Sequence, residues 1–170
     1  MPPLPDSGMA VPMNILVLCT GNSARSILLE AILNRLGADL GVTAFSAGSR
    51  PAGQVHPQSV SLLRSKGYPT EKLRSKSWDE FGLAGAPVMD IVITVCGSAA
   101  GETCPIWPGA PIRAHWGVED PAAAPPAERP AAFAKTYDRV AARAHALLSL
   151  PLHTMGRADF SAELTRIGTI

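Results

Sequence analysis

The chain has 170 residues, 46% of them apolar and 17% charged, and 15 lysines and arginines nearly balance 14 acidic residues, leaving a formal charge of +1. That length and apolar content fit one compact domain and exclude a mainly disordered chain. With no block of like charge there is no stripe for a nucleic-acid backbone or an anionic membrane surface, and the apolar runs Ile15–Cys19, Ile27–Leu33 and Val88–Cys96 are far shorter than the ~20 residues that cross a bilayer.

Residues 1–12 hold four prolines without a basic cluster or an apolar stretch, and are expected to form a flexible Pro-rich N-terminal arm ahead of a folded domain over 13–170. They lack the features of a secretory signal or transit peptide, so a cytoplasmic, reducing location is expected. Three cysteines there (Cys19, Cys96 and Cys104) cannot build a closed disulfide framework. Small buried hydrophobes are the first reading of each, and their neighbours must decide.

Asn14–Cys19 (NILVLC) is a continuous apolar run with β-branched members, which predicts a strand covered on both faces in a parallel sheet. Thr20-Gly21-Asn22-Ser23 is turn chemistry, and from Ala24 the apolar positions Leu28, Ala31, Ile32 and Leu36 recur at helical spacing until Gly37. Val42–Ala47 predicts a second strand and Pro57–Lys66 a second helix ending at Gly67. Val88–Cys96 (VMDIVITVC) repeats the pattern of the first strand and is followed by Gly97. After a Pro- and Trp-bearing loop come a short run at Ala110–Ala114 and a Pro- and Ala-rich stretch over Pro121–Ala132. Phe133, Tyr137, Val140, Ala144, Leu147 and Leu148 then mark the buried stripe of a helix closed by Pro151, and a short terminal helix is read around Ser161–Ile167. Strands alternating with helices predict a single-domain α/β fold in which ligands bind beyond the carboxyl ends of the strands, where Cys19 and Cys96 lie.

The segment Cys19-Thr20-Gly21-Asn22-Ser23-Ala24-Arg25-Ser26 puts a cysteine at a strand end and an arginine at a helix start, a spacing that can close into a ring. Inward N–H groups, the helix N-terminus and a two-pronged Arg25 guanidinium would make a nest for a tetrahedral oxyanion. The same positive surroundings favour the thiolate of Cys19, and Ser26 can donate a hydrogen bond to its sulfur. Cys19 is therefore read as a nucleophile aimed at a bound oxyanion, in preference to a buried cysteine beside a surface arginine.

The sequence CTGNSARS resembles the signature loop of the low-molecular-weight tyrosine phosphatase superfamily, and in particular of its arsenate reductases, with the likeness running from about Asn14 to Leu150. The resemblance implies a four-stranded parallel sheet flanked by helices, arsenate as substrate with phosphate or sulfate as analogues, and Asn22 and Ser46 as braces of the loop. Some arsenate reductases of this group hold a potassium ion near the loop. Glu30 matches one of those positions while Ser75 to Ser77 match the others poorly, so Glu30 is equally a plain solvated carboxylate and no metal is assigned. His115-Trp116-Gly117-Val118-Glu119-Asp120-Pro121 resembles the family's acid loop. It implies Asp120, rather than Glu119, as the general acid that protonates the departing oxygen, the alternative being a helix-capping aspartate. Phosphotyrosine-specific relatives carry an aromatic residue soon after this Asp-Pro pair. Ala122, Ala123 and Ala124 stand here instead, which points to a small inorganic oxyanion.

Reduction of arsenate takes two electrons, which two thiols supply by ending as a disulfide. The stretch from Val95 to Pro108 resembles the redox segment of these reductases, and the resemblance implies that Cys19 meets arsenate, Cys96 resolves it and Cys104 passes the oxidation to an external thiol carrier. Seven residues separate Cys96 from Cys104, against six in the well-known thioredoxin-coupled members, so thioredoxin and glutathione with glutaredoxin both stay open as reductants. A zinc site at Cys96, Cys104 and His115 lacks ligand spacing and a fourth partner. No bound cofactor is expected, and a monomer is the expected state. The expected function is thus arsenate reduction for arsenic detoxification. The alternatives are a low-molecular-weight protein tyrosine phosphatase using Cys19, Arg25 and Asp120, and a non-enzymatic oxyanion sensor.

Overall fold

The structure is a computed structural model and describes residues 12–96 and 110–170. Nearly all of the expected N-terminal arm, and the segment 97–109 with Cys104, lie outside the described residues. The elements in chain order are β1 (Met13–Cys19), α1 (Arg25–Gly37), β2 (Val42–Gly48), α2 (Pro57–Ser65), β3 (Ile91–Thr94), β4 (Ile112–His115), α3 (Arg129–Leu148) and α4 (Arg157–Ile167). Short 3-10 turns include Trp78–Phe81 and Pro121–Ala123.

The strands form one parallel four-stranded sheet in the order β2-β1-β3-β4. Its register aligns the carboxyl ends: Cys19 beside Gly48, Leu18 beside Thr94, and Thr94 beside His115. The chain leaves β1 for one side of the sheet and returns to its other side for β3. The switch point of the strand order therefore lies between β1 and β3, where sheets of this kind open a crevice beyond the carboxyl ends of the strands.

β1 is covered on both faces, which is why its sequence is continuously apolar. Ile15, Val17 and Cys19 join the larger core with α1, α3 and α4, while Leu16 and Leu18 pack with Ala47, Trp78, Phe81, Met89 and Val92 on the opposite face. α1 lies deep in the larger core, with every residue from Ser26 to Leu33 buried, so its register and the position of its N-terminus are tightly fixed.

Two elements and one buried stripe depart most from expectation. β3 is shorter than Val88–Cys96: Val88 is exposed, and Asp90 spends both its carboxylate and its N–H on the Asn14 backbone, each at 2.8 Å. α4 starts at Arg157 rather than Ser161, because Phe160 begins the stripe it buries with Leu164 and Ile167. On α3 the buried stripe includes Arg143, while Tyr137 and Leu148 are only partly buried.

Candidate active site

Cys19 closes β1 and Arg25 opens α1, so the intervening residues must turn the chain sharply. Asn22 does this in a left-handed conformation, with φ of 47°, which asparagine adopts more readily than most residues. The loop carbonyls face outward onto donors from elsewhere in the chain. Thr20 O accepts from the Arg50 N–H, Gly21 O from the Ala52 N–H and the Ser75 hydroxyl, and Ser23 O from the His56 N–H and the Ser59 hydroxyl. In a trans peptide the next N–H points opposite to the carbonyl, so the amides of Gly21, Asn22 and Ala24 are turned inward. The Asn22 N–H accordingly donates to Cys19 Sγ at 3.1 Å. A side chain at Gly48 would collide with the Thr20 carbonyl, so the end of β2 is glycine where the loop crosses it.

The side chains form a second, directional network. Asn22 Oδ1 accepts from the Lys76 N–H at 2.9 Å, which fixes the amide orientation so that Nδ2 donates to Ser26 Oγ at 2.8 Å and to Ser46 Oγ at 2.9 Å. Both serine oxygens are acceptors in these bonds, leaving their hydrogens to be donated onward. Ser26 Oγ lies 2.9 Å from Cys19 Sγ, and Ser46 bonds to Glu30. The network thus directs a hydrogen at the sulfur at one end and at a carboxylate at the other.

Glu30 is not a solvated carboxylate; it is 9% exposed. Burial pushes its pKa up, opposed first by the charge of Lys76 and then by hydrogen bonds from Ser46. Lys76 is equally buried, and its pKa is pushed down by burial against the pull of Glu30. These residues do not fit a potassium ion, because the positive charge facing Glu30 is the chain's own ammonium, which also donates to the Arg74 carbonyl at 2.9 Å.

Across the crevice, Arg25 ties the loop to the acid loop: Nη1 donates to the Val118 carbonyl at 3.2 Å and Nη2 lies 3.8 Å from Asp120 Oδ2. The other Asp120 oxygen accepts from the Ala122 N–H at 3.0 Å and caps the turn Pro121–Ala123. Asp120 therefore caps a turn and approaches Arg25 at once. An open cleft of about 470 Å³ adjoins it, lined in part by Asp120, Ala123, Ala124, Lys135 and Arg139, with no aromatic ring among the described lining residues. Cys96 is buried just beyond β3, with Sγ 3.3 Å from Thr20 Oγ, on the loop that starts at Cys19. Cys19, Arg25, Ser26, Asn22, Ser46, Cys96 and Asp120 thus converge on one sheet edge. Among the described residues no group of three or more His, Cys, Asp or Glu side chains is placed to hold a metal, and no helix is long and apolar enough to cross a membrane.

Sequence reasoning missed Ser75, Lys76, His56 and Ser59 as braces of the loop. His56 also caps α2, its Nδ1 accepting from the Gln58 N–H at 3.0 Å, and stacks on Phe133.

A cysteine held in a ring of inward amides between a strand and a helix, closed by an arginine and faced by an aspartate, defines the low-molecular-weight phosphatase class. Residues 14–159 match the low molecular weight phosphotyrosine protein phosphatase family, and the chain belongs to it, within its arsenate reductase group. It is 37% identical over 132 residues to an arsenate reductase of Bacillus licheniformis, covering 76% of this chain and 90% of that protein. The arsenate reductase of Archaeoglobus fulgidus superimposes with a TM-score of 0.58 at 27% identity, over 77% of this chain and 98% of that one. A solved arsenate reductase in the phosphate binding state gives 0.59 at 26% identity, over 75% and 93%.

Proposed function

We propose that residues 13–170 form an arsenate reductase domain in which Cys19 is the nucleophile, Cys96 the resolving thiol and Cys104 the thiol that restores the site. The observation that carries this reading is the seat of Cys96 against Thr20 at the mouth of the Cys19 loop. A hydrolytic phosphatase has no use for a second buried thiol there, whereas a two-electron reduction requires one.

Arsenate is gripped by the inward amides and by Arg25. The Cys19 thiolate forms a sulfur–arsenic bond as one arsenate oxygen leaves as water, taking its proton from Asp120. Cys96 then attacks the Cys19 sulfur. A Cys19–Cys96 disulfide forms, the sulfur–arsenic bond breaks with its electron pair left on arsenic, and arsenite departs. Attack of Cys104 on Cys96 moves the disulfide to Cys96–Cys104 and frees the Cys19 thiolate. An external thiol carrier, thioredoxin or glutathione with glutaredoxin, reduces the final disulfide. The names of the relatives, and the alanines at 122–124 where phosphotyrosine-specific relatives carry an aromatic residue, support a small inorganic oxyanion as substrate, and arsenic detoxification as the role.

The test is to expose Cys104→Ser protein to arsenate without a reductant and analyse its peptides by mass. A Cys19–Cys96 crosslink with one arsenite released per chain is expected, and its absence would count against this order of attack. A second reading, tyrosine or phosphomonoester phosphatase, is favoured by the approach of Asp120 to Arg25 alone, which uses neither further thiol. Cys96→Ser separates the two, because it should abolish arsenate turnover and leave hydrolysis of a phosphomonoester intact.

A further inference from the structure

Arg143 is a guanidinium buried at 3% exposure on α3, and its described hydrogen-bond partners are backbone carbonyls from two separate segments. Nη1 donates to Trp116 O at 2.8 Å and Gly117 O at 3.3 Å, while Nη2 donates to Gly168 O at 3.2 Å and Nε to Ile170 O at 3.0 Å. The first pair opens the acid loop and the second follows α4, beyond the residues matched to the family. Burying a charge is expensive, and the fork geometry of arginine is what lets a single side chain satisfy carbonyls on both sides.

Two further contacts join the same segments. Trp116 is fully buried, and its Nε1 donates to the Leu164 carbonyl of α4 at 2.9 Å. A Cβ on Gly168 would stand 2.7 Å from the His115 carbonyl oxygen and 2.9 Å from the Trp116 ring, so the chain after α4 is packed directly against the start of the acid loop. The next residue, Val118, receives Arg25 on its carbonyl and bonds through its N–H to Val95 O, beside Cys96, and Asp120 follows two residues on.

We propose that Arg143 and the segment after α4 are positioning elements that hold the acid loop, and through it Asp120, over Cys19. This rests on the reading of Asp120 as the general acid of arsenate reduction. The guanidinium touches no substrate. It fixes the Trp116 and Gly117 peptides, and so sets where Val118 O meets Arg25 and where the Asp120 carboxylate faces the departing oxygen.

The test compares wild type, Arg143→Met, Arg143→Lys, Asp120→Asn and the Arg143→Met/Asp120→Asn pair, each checked for folding by circular dichroism. The readouts are the rate of the first turnover with arsenate and the Kd of inorganic phosphate. Arg143→Met should slow the first turnover about 10- to 100-fold while phosphate Kd moves less than about 3-fold, the signature of a misplaced general acid. Arg143→Lys should recover part of the rate. In the Asp120→Asn background Arg143→Met should add less than about 2-fold, because residues acting as a unit are not additive. An unchanged rate in folded Arg143→Met protein, or full additivity with Asp120→Asn, overturns the proposal. Should Arg143→Met fail to fold, Gly168→Ala presses on the same junction and should give the same pattern at smaller size. Amide hydrogen exchange over residues 116–122 reads the coupling with no substrate: it should quicken about 10-fold or more in Arg143→Met or Gly168→Ala while β1 is unchanged. Equal exchange overturns the bracket whatever the protein does to arsenate, whereas a wild type that leaves arsenate unreduced overturns only the functional reading.

Discussion

The two loops that meet over Cys19 are held in opposite ways. The oxyanion loop is fixed by its own side chains and by outward carbonyl bonds to residues 50, 52, 56, 59 and 75, with Asn22 and Ser26 fully buried. The acid loop carries its carboxylate at 43% exposure, capped by one N–H and 3.8 Å from Arg25, and the hydrogen bonds at its start are borrowed from Arg143 and α4. The proposed chemistry accounts for the difference. Donors that stabilise an anion work because they need not reorganise, whereas a proton donor must come up to a leaving oxygen whose position depends on the substrate.

Substitutions can sharpen or break that contrast. Arg25→Lys touches both loops and should cost most, about 10²- to 10³-fold in arsenate turnover, because an ammonium cannot reproduce a two-pronged grip. Steady-state kinetics with arsenate checks this, and a loss under tenfold would mean that the inward amides suffice. Asn22→Ala should lose activity and stability together: the Lys76 N–H and two serine oxygens lose their partner, at about 1–3 kcal/mol by chemical denaturation. Asp120→Asn should behave differently, slowing turnover about 10- to 100-fold with stability within ~0.5 kcal/mol of wild type, since an asparagine oxygen can still cap Ala122. Equal destabilisation by Asn22→Ala and Asp120→Asn would erase the distinction between a braced loop and a borrowed one.

The smallest effect concerns pH. Burial raises the Glu30 pKa above its ordinary value of 4.5, so the native state holds this proton more tightly than the unfolded chain. Its stabilising contribution is complete below that ordinary value and is lost as pH rises through the raised folded value. Glu30→Gln cannot titrate, so its stability relative to wild type should improve as pH rises above the ordinary Glu30 value of 4.5, measured by denaturation midpoints. A difference that stays flat or moves the other way would show that Lys76 and Ser46 outweigh burial.

The same contrast explains what the sequence made legible. The oxyanion loop is eight consecutive residues between a strand and a helix, so its ring could be read locally, and the parallel sheet followed from the continuous apolar runs. Its braces come from distant residues such as Ser75 and Lys76, whose sequence context marks only a polar loop. Glu30 offered more than was taken from it. It interrupts the apolar run Ile27–Leu33, and every residue from Ser26 to Leu33 is buried, so the carboxylate is carried inward with its neighbours. Arg143 sits next to Ala144 on the stripe set by Phe133, Val140 and Leu147, so helical spacing alone places it inward, but the stripe was read from its apolar members only. Cys96 was expected at the end of its strand. The strand instead stops at Thr94, and Cys96 reaches Thr20 from the loop just beyond it.

The central claim is that this oxyanion site works with a thiol relay. Fully reduced protein mixed with arsenate in the absence of oxygen and of any carrier tests it by a thiol count. The account predicts a fall from three free thiols to one, with one arsenite released per chain, and three thiols left unchanged would contradict it.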